Sequence, residues 1–157
     1  RALSSAASDV YKRQLLRCAV NPNSEQDREI HHFTYSLYPH AGSVDTSDVV
    51  SQGYSLNLPL YCVSGKAAHS SYSLVSTDKD NIIIETVKKA EDSSDTVIRA
   101  YETWNKTTDC VYIFDRVPKS VYVCNLLEEN EEQLEINGST VALRFKPFEI
   151  KTVKVTF

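Results

Sequence analysis

The sequence predicts an all-β fold, an antiparallel β-sandwich, and three observations predict it. From Leu15 onward Val, Ile, Thr and Tyr are frequent, and apolar residues recur close to every second position. Clusters of Gly, Pro, Asn, Asp and Ser interrupt that texture at short intervals, as turns between short strands do. Only one stretch, around residues 45–55, carries helical spacing, so the alternation of strands and helices expected of a parallel α/β sheet is missing.

Taken in order, residues 15–20 form the first candidate strand, closed by the turn signal Asn21-Pro22-Asn23-Ser24. Residues 31–38 form the second. There Phe33, Tyr35 and Leu37 share one face, and Pro39 ends the strand because proline cannot donate to a central ladder. Val49, Val50 and Tyr54 are spaced for a short helix, with Asp45 or Ser47 able to cap its start. Residues 56–63 return to an extended pattern broken by Pro59, and 64–71 read as a polar loop. Residues 81–88 and 96–104 flank Glu91-Asp92-Ser93-Ser94-Asp95 and predict a hairpin. Strands at 109–114, 120–126, 140–145 and 149–157 complete the set, with Asn137-Gly138 as a tight turn.

The length of 157 residues suits one cored domain and is too short for a large enzyme barrel with accessory domains. A net charge of −4 with interspersed signs leaves no electrostatic footprint for nucleic acid or an anionic membrane. The longest apolar runs, such as Ile82-Ile83-Ile84, are far too short to cross a bilayer. Cys18, Cys62, Cys110 and Cys124 are widely spaced, contain no CxxC pair, and are expected to be reduced, partly buried thiols. The sequons at Asn105 and Asn137 are expected to be chance matches or turn residues, since no secretory signal is recognised. The chain begins with arginine and holds no methionine, from which a piece of a longer product is expected. Residues 1–14 resemble translated adapter sequence and are expected to be disordered and foreign to the fold.

Few residues carry a catalytic signature. The acids cluster at Asp78/Asp80, Glu91/Asp92/Asp95 and 128–132, in stretches that read as hydrated turns and connections. Glu85 and Glu102 lie within strands, at positions that face solvent or pair across strands with Lys88 or Arg99. His31, His32, His40 and His69 suggest no metal site, because neighbouring strand residues point to opposite faces. No GxSxG elbow, phosphate loop or HExxH motif is present.

One whole segment is more specific. The run from Asp27 to Gly42, through His31-His32-Phe33-Thr34-Tyr35-Ser36-Leu37-Tyr38-Pro39-His40, resembles a signature of family 38 α-mannosidases that follows a Leu-Leu-Arg strand, here Leu15-Leu16-Arg17. Tyr54-Ser55-Leu56-Asn57-Leu58-Pro59-Leu60, the 84–102 hairpin and Pro147-Phe148-Glu149-Ile150-Lys151-Thr152 are similar to further blocks in the same order, so the resemblance covers residues 15–157. It is closest to the cytosolic and bacterial branch. Glu29 departs from it, standing where the family usually has glycine.

The resemblance implies a C-terminal sandwich of the galactose mutarotase-like, supersandwich type. It also implies a parent enzyme that is a cytoplasmic, zinc-dependent, retaining glycosidase removing terminal α-linked mannose from oligosaccharides. The zinc ligands and nucleophile of that family lie in an N-terminal catalytic domain whose motifs are not in these residues. This chain is therefore expected to hold no catalytic, cofactor-binding or metal-binding residue and to be inactive alone, with the catalytic domain as its partner. His31, Tyr35 and His40 are the candidates for the interface or pocket rim, with internal packing as the alternative. A freestanding carbohydrate-binding module is the rival reading and requires a row of exposed aromatics.

Overall fold

The computed structural model describes residues 21–26 and 28–157. The leader at 1–14, the expected strand at 15–20 and Cys18 lie outside the described residues. The chain divides into two compact units, Arg1–Leu37 and Tyr38–Phe157.

In the first unit, a turn closes where Asn23 accepts the Glu25 N–H on Oδ1 at 3.0 Å and the Gln26 N–H on its carbonyl at 3.4 Å. Arg28 pairs with Glu25 at 2.8 Å. The strand expected over residues 31–38 is not formed. These residues are irregular, and Phe33, Tyr35 and Leu37 are exposed along with their neighbours. Alternation makes a strand only where a ladder partner and a buried face exist, and the described residues supply neither here. Glu29 does not adopt positive φ, so its replacement of glycine imposes no backbone strain.

The second unit contains the sandwich. Nine strands are present among the described residues: β1 (Val75–Thr77), β2 (Ile82–Lys89), β3 (Thr96–Glu102), β4 (Thr108–Phe114), β5 (Ser120–Cys124), β6 (Asn130–Gln133), β7 (Ile136–Asn137), β8 (Thr140–Phe145) and β9 (Ile150–Thr156). They form a four-stranded sheet, β1-β4-β8-β7, and a five-stranded sheet, β2-β3-β9-β5-β6, with every pairing antiparallel. The expected hairpin is β2–β3, in which Lys89 faces Thr96, with a bulge at Glu85. Gly138, at φ +59, opens the two-residue β7–β8 loop, a conformation that glycine adopts without cost.

The sheets close on Ile82, Ile98, Ala100, Tyr112, Val121, Val141, Phe145, Val153 and Val155. β8 keeps strict alternation, with Val141, Leu143 and Phe145 buried and Ala142 and Arg144 exposed, so the four-stranded sheet is wet on its outer side. β3 and β9 break that rule. Val97 is as buried as Ile98, and Thr152 as Val153, so the five-stranded sheet is covered on both faces there. Helix α1 (Val49–Asn57), preceded by a 3-10 turn at Val44–Thr46, lies against one end of that outer face, where the Tyr54 and Tyr101 hydroxyls meet at 3.0 Å. The helix expected around 45–55 is thus present. The extended pattern expected from residue 56 gives way to the last helical turn and then to irregular chain. At the other end of the outer face Lys154 donates to the Glu128 carbonyl, and Lys88 pairs with the Glu128 carboxylate at 2.8 Å.

Candidate functional site

The most organised chemistry of this unit centres on Glu102, the last residue of β3. The alternation of β3 turns its side chain inward, and it is fully buried. Its Oε1 accepts from Asn81 Nδ2 at 2.8 Å and from the Trp104 N–H at 2.6 Å. Its Oε2 accepts from the Phe148 N–H at 3.0 Å and the Lys106 N–H at 3.2 Å. Burial pushes the carboxyl up, but the bonds from Phe148, Asn81, Trp104 and Lys106 outweigh it and hold the group below the ordinary glutamate value. The solvent-facing or cross-strand role expected for Glu102 is therefore corrected. One face of β3 is core, and four donors converge where the core ends. Asn81 extends the network by donating to Thr108 Oγ1 at 2.7 Å.

Glu128 corrects a second expectation. The 128–132 run reads as hydrated surface, yet Glu128 is buried. Its bond to the Lys88 ammonium, together with the Glu91 N–H, holds its carboxyl below the usual range, and its φ is +66. The loop before β6 folds back over the sheet and carries the residue inward.

Two clefts flank α1. The first, about 570 Å³, lies between the helix start, the β1–β2 turn and the β3–β4 turn, and its walls include Tyr38, His40, Asp48, Ser51, Asp80 and Trp104. Tyr38 donates to Asp48 at 2.8 Å and Gln52 to the same carboxylate at 3.1 Å, which together hold Asp48 below the ordinary aspartate range. The Tyr38 and His40 rings stack at 6.2 Å. The second cleft, about 500 Å³, is mostly apolar, bordered by Val50, Tyr101, Phe148 and Ile150. Burial, then the bond to Tyr54, pushes the Tyr101 phenol up to about 12, so it is neutral at physiological pH.

The sequence carries a match to the family model described as the glycosyl hydrolases family 38 C-terminal beta sandwich domain, over residues 81–153. Those residues run from Asn81, which feeds Glu102, into β9. Alpha-mannosidase G of Dictyostelium discoideum is 36% identical over 148 residues, covering 89% of this chain. This chain belongs to glycosyl hydrolase family 38. Alpha-mannosidase 2C1 of Homo sapiens is 31% identical over 154 residues, covering 94% of this chain, and its Mus musculus counterpart is 30% identical over 158 residues, covering 96%. The chain spans only 14% of the Dictyostelium relative and 15% of each mammalian one.

Within this family 38 domain the three sequence candidates fall unevenly. His31 and Tyr35 are exposed in the first unit, whereas His40 borders the polar cleft of the second. The residues that sequence reasoning missed are Glu102, Asn81 and Glu128, and the only signal for Glu102 was an acid inside an apolar strand. Asn105 sits at an exposed bend with φ +55, whereas Asn137 is the exposed last residue of β7, just before the Gly138-Ser139 turn. Among the described residues no group of three or more His, Cys, Asp and Glu side chains could hold a metal ion. No helix among the described residues is long and apolar enough to cross a membrane.

Proposed function

We propose that this domain is an accessory region of a larger cytoplasmic α-mannosidase, and that it docks against the remainder of that polypeptide, which carries the chemistry. On this reading the removal of terminal α-linked mannose, with retention and with zinc, belongs to the catalytic part. The observation that carries the proposal is a group of exposed apolar side chains on the β8–β9 turn, the start of β9 and the β5–β6 connection. Phe148 is 61% exposed and Ile150 63%, and Ile150 borders a further recess containing Leu126, which is 70% exposed. Exposed apolar side chains grouped this way mark an interaction face. The length of the relatives beyond the matched region supplies a covalently attached occupant.

The test is a chimera in which this chain replaces the matching region of the Dictyostelium relative. The chimera is expected to hydrolyse an aryl α-mannoside, and Phe148→Asp with Ile150→Asp to strip it of activity and thermal resistance together. A double variant as active and as stable as its parent would defeat the docking claim. The 157-residue chain alone is expected to give no turnover of that substrate, with or without added zinc.

A further inference from the structure

We infer that residues 30–37 are a donor strand, which pairs with the edge of a β-sheet in the remainder of the polypeptide and lays one apolar face on that sheet's core. Polar and apolar residues alternate without a break from His32 to Leu37. Phe33, Tyr35 and Leu37 therefore share one face, and His32, Thr34 and Ser36 the other. That is the pattern of an antiparallel strand with one buried and one wet side. The segment holds no glycine, no proline and no Asp, Glu, Lys or Arg, and aromatic and β-branched residues are frequent in it. Yet it carries no regular structure, and Ile30 is 85% exposed, Tyr35 65% and Leu37 88%. A stretch of this composition lacks the charges and prolines that blunt a free edge, and its unpaired backbone favours addition to a sheet.

The sandwich's own edges suit this strand poorly. Among the described residues they are β1, three residues long, β7, two residues long, β6, polar throughout, and β2, whose ladder is interrupted by the bulge at Glu85 and ends in Lys88-Lys89. None offers an uninterrupted apolar edge of the donor's length. The match to the sandwich family model also starts only at residue 81, well past the segment. The mammalian relatives nevertheless align over 94% and 96% of this chain, which leaves no room for residues 30–37 to fall outside, and the chain spans 15% of each. The segment is thus common to the longer proteins and lies outside the matched sandwich. Its acceptor is the additional chain that those proteins carry. The inference rests on the docking reading above and adds a second contact of different chemistry: main-chain hydrogen bonds and a buried aromatic face in place of a side-chain patch.

Hydrogen–deuterium exchange of backbone amides reads such a ladder directly. In the 157-residue chain alone the amides of residues 32–37 are expected to exchange at the rate of an unstructured peptide. In the chimera with the Dictyostelium relative they are expected to exchange about 100-fold more slowly. Tyr35→Asp is expected to lower the thermal inactivation midpoint of the chimera by about 3 °C or more. Ser36→Asp, on the wet face, is expected to leave that midpoint within error, and neither change to affect the isolated chain. Free exchange in the chimera, or equal effects of the two substitutions, would overturn the donor strand. So would protection that appears in the isolated chain as its concentration rises, which assigns the acceptor to a second copy. If the chimera does not fold, the aligned segment of the intact Dictyostelium relative is measured instead, with slow exchange expected and free exchange again overturning the inference. The two readings fail separately. Free exchange in a chimera that is inactivated by Phe148→Asp with Ile150→Asp removes the strand and keeps the docking face; slow exchange in a chimera indifferent to those changes keeps the strand and removes the face.

Discussion

Glu102 shows how one side chain ties several loops together. Its two oxygens take up three backbone N–H groups and one amide, from the β1–β2, β3–β4 and β8–β9 connections. Glu102→Gln keeps the shape but turns an NH₂ group toward two of those donors. It is expected to cost about 1–3 kcal/mol in urea denaturation at neutral pH, because buried donors lose their acceptor. The pH dependence has a definite sign. The folded carboxyl lies below its ordinary 4.5, so its stabilisation is complete above that value and is lost as pH falls through the folded pKa. Glu102→Gln is expected to lack this part of the acid unfolding curve. Acid profiles that differ only by a constant offset between the two proteins would contradict the assignment.

Among the elements, the β8–β9 connection is the most informative. Lys146 accepts the Glu149 N–H at 3.1 Å across Pro147-Phe148, and Phe148 holds φ +55. Proline at the second position and positive φ at the third make a type II turn, in which the third residue is ordinarily glycine. A β-carbon there costs roughly 1–2 kcal/mol. Phe148→Ala retains that cost, whereas Phe148→Gly releases it, and both lose the same exposed ring. The glycine variant is therefore expected to be about 1 kcal/mol more stable than the alanine variant by thermal or chemical denaturation. Equal stabilities would mean that the turn is not strained. A bulky aromatic at a position that favours glycine, with its ring exposed, accords with the docking face proposed above. Element boundaries in the second half were legible because β4 and β8 alternate, β2, β3 and β9 are rich in β-branched residues, and turn residues bound them. β6, Asn-Glu-Glu-Gln and exposed throughout, carried no such pattern: it is an edge strand whose pairing with β5 holds it, and its charges discourage a further strand from adding.

For the whole molecule, the core explains the cysteines. Cys110 and Cys124 are buried and free, while Cys62 is exposed, in contrast to the partial burial expected of it. Burial pushes the Cys110 thiol up to about 11 and raises Cys124 as well, which suppresses the reactive thiolate at neutral pH. A thiol reagent is expected to label Cys62 within its mixing time and the other two only as the sandwich unfolds, as read by peptide mapping. Native-state labelling of Cys110 as fast as Cys62 would show that the two sheets do not close over it. The sequence by itself determined the sandwich class, the hairpin, the helix near residue 50 and the family, because these rest on local periodicity, turn chemistry and motif order. Only the tertiary structure decided that Glu102 and Glu128 are buried, that residues 31–38 lack a strand, and that Asp80 and Trp104 wall one cleft. Burial of a charge depends on donors brought from distant loops, and a strand depends on its ladder partner. Neither is written in the residues on either side.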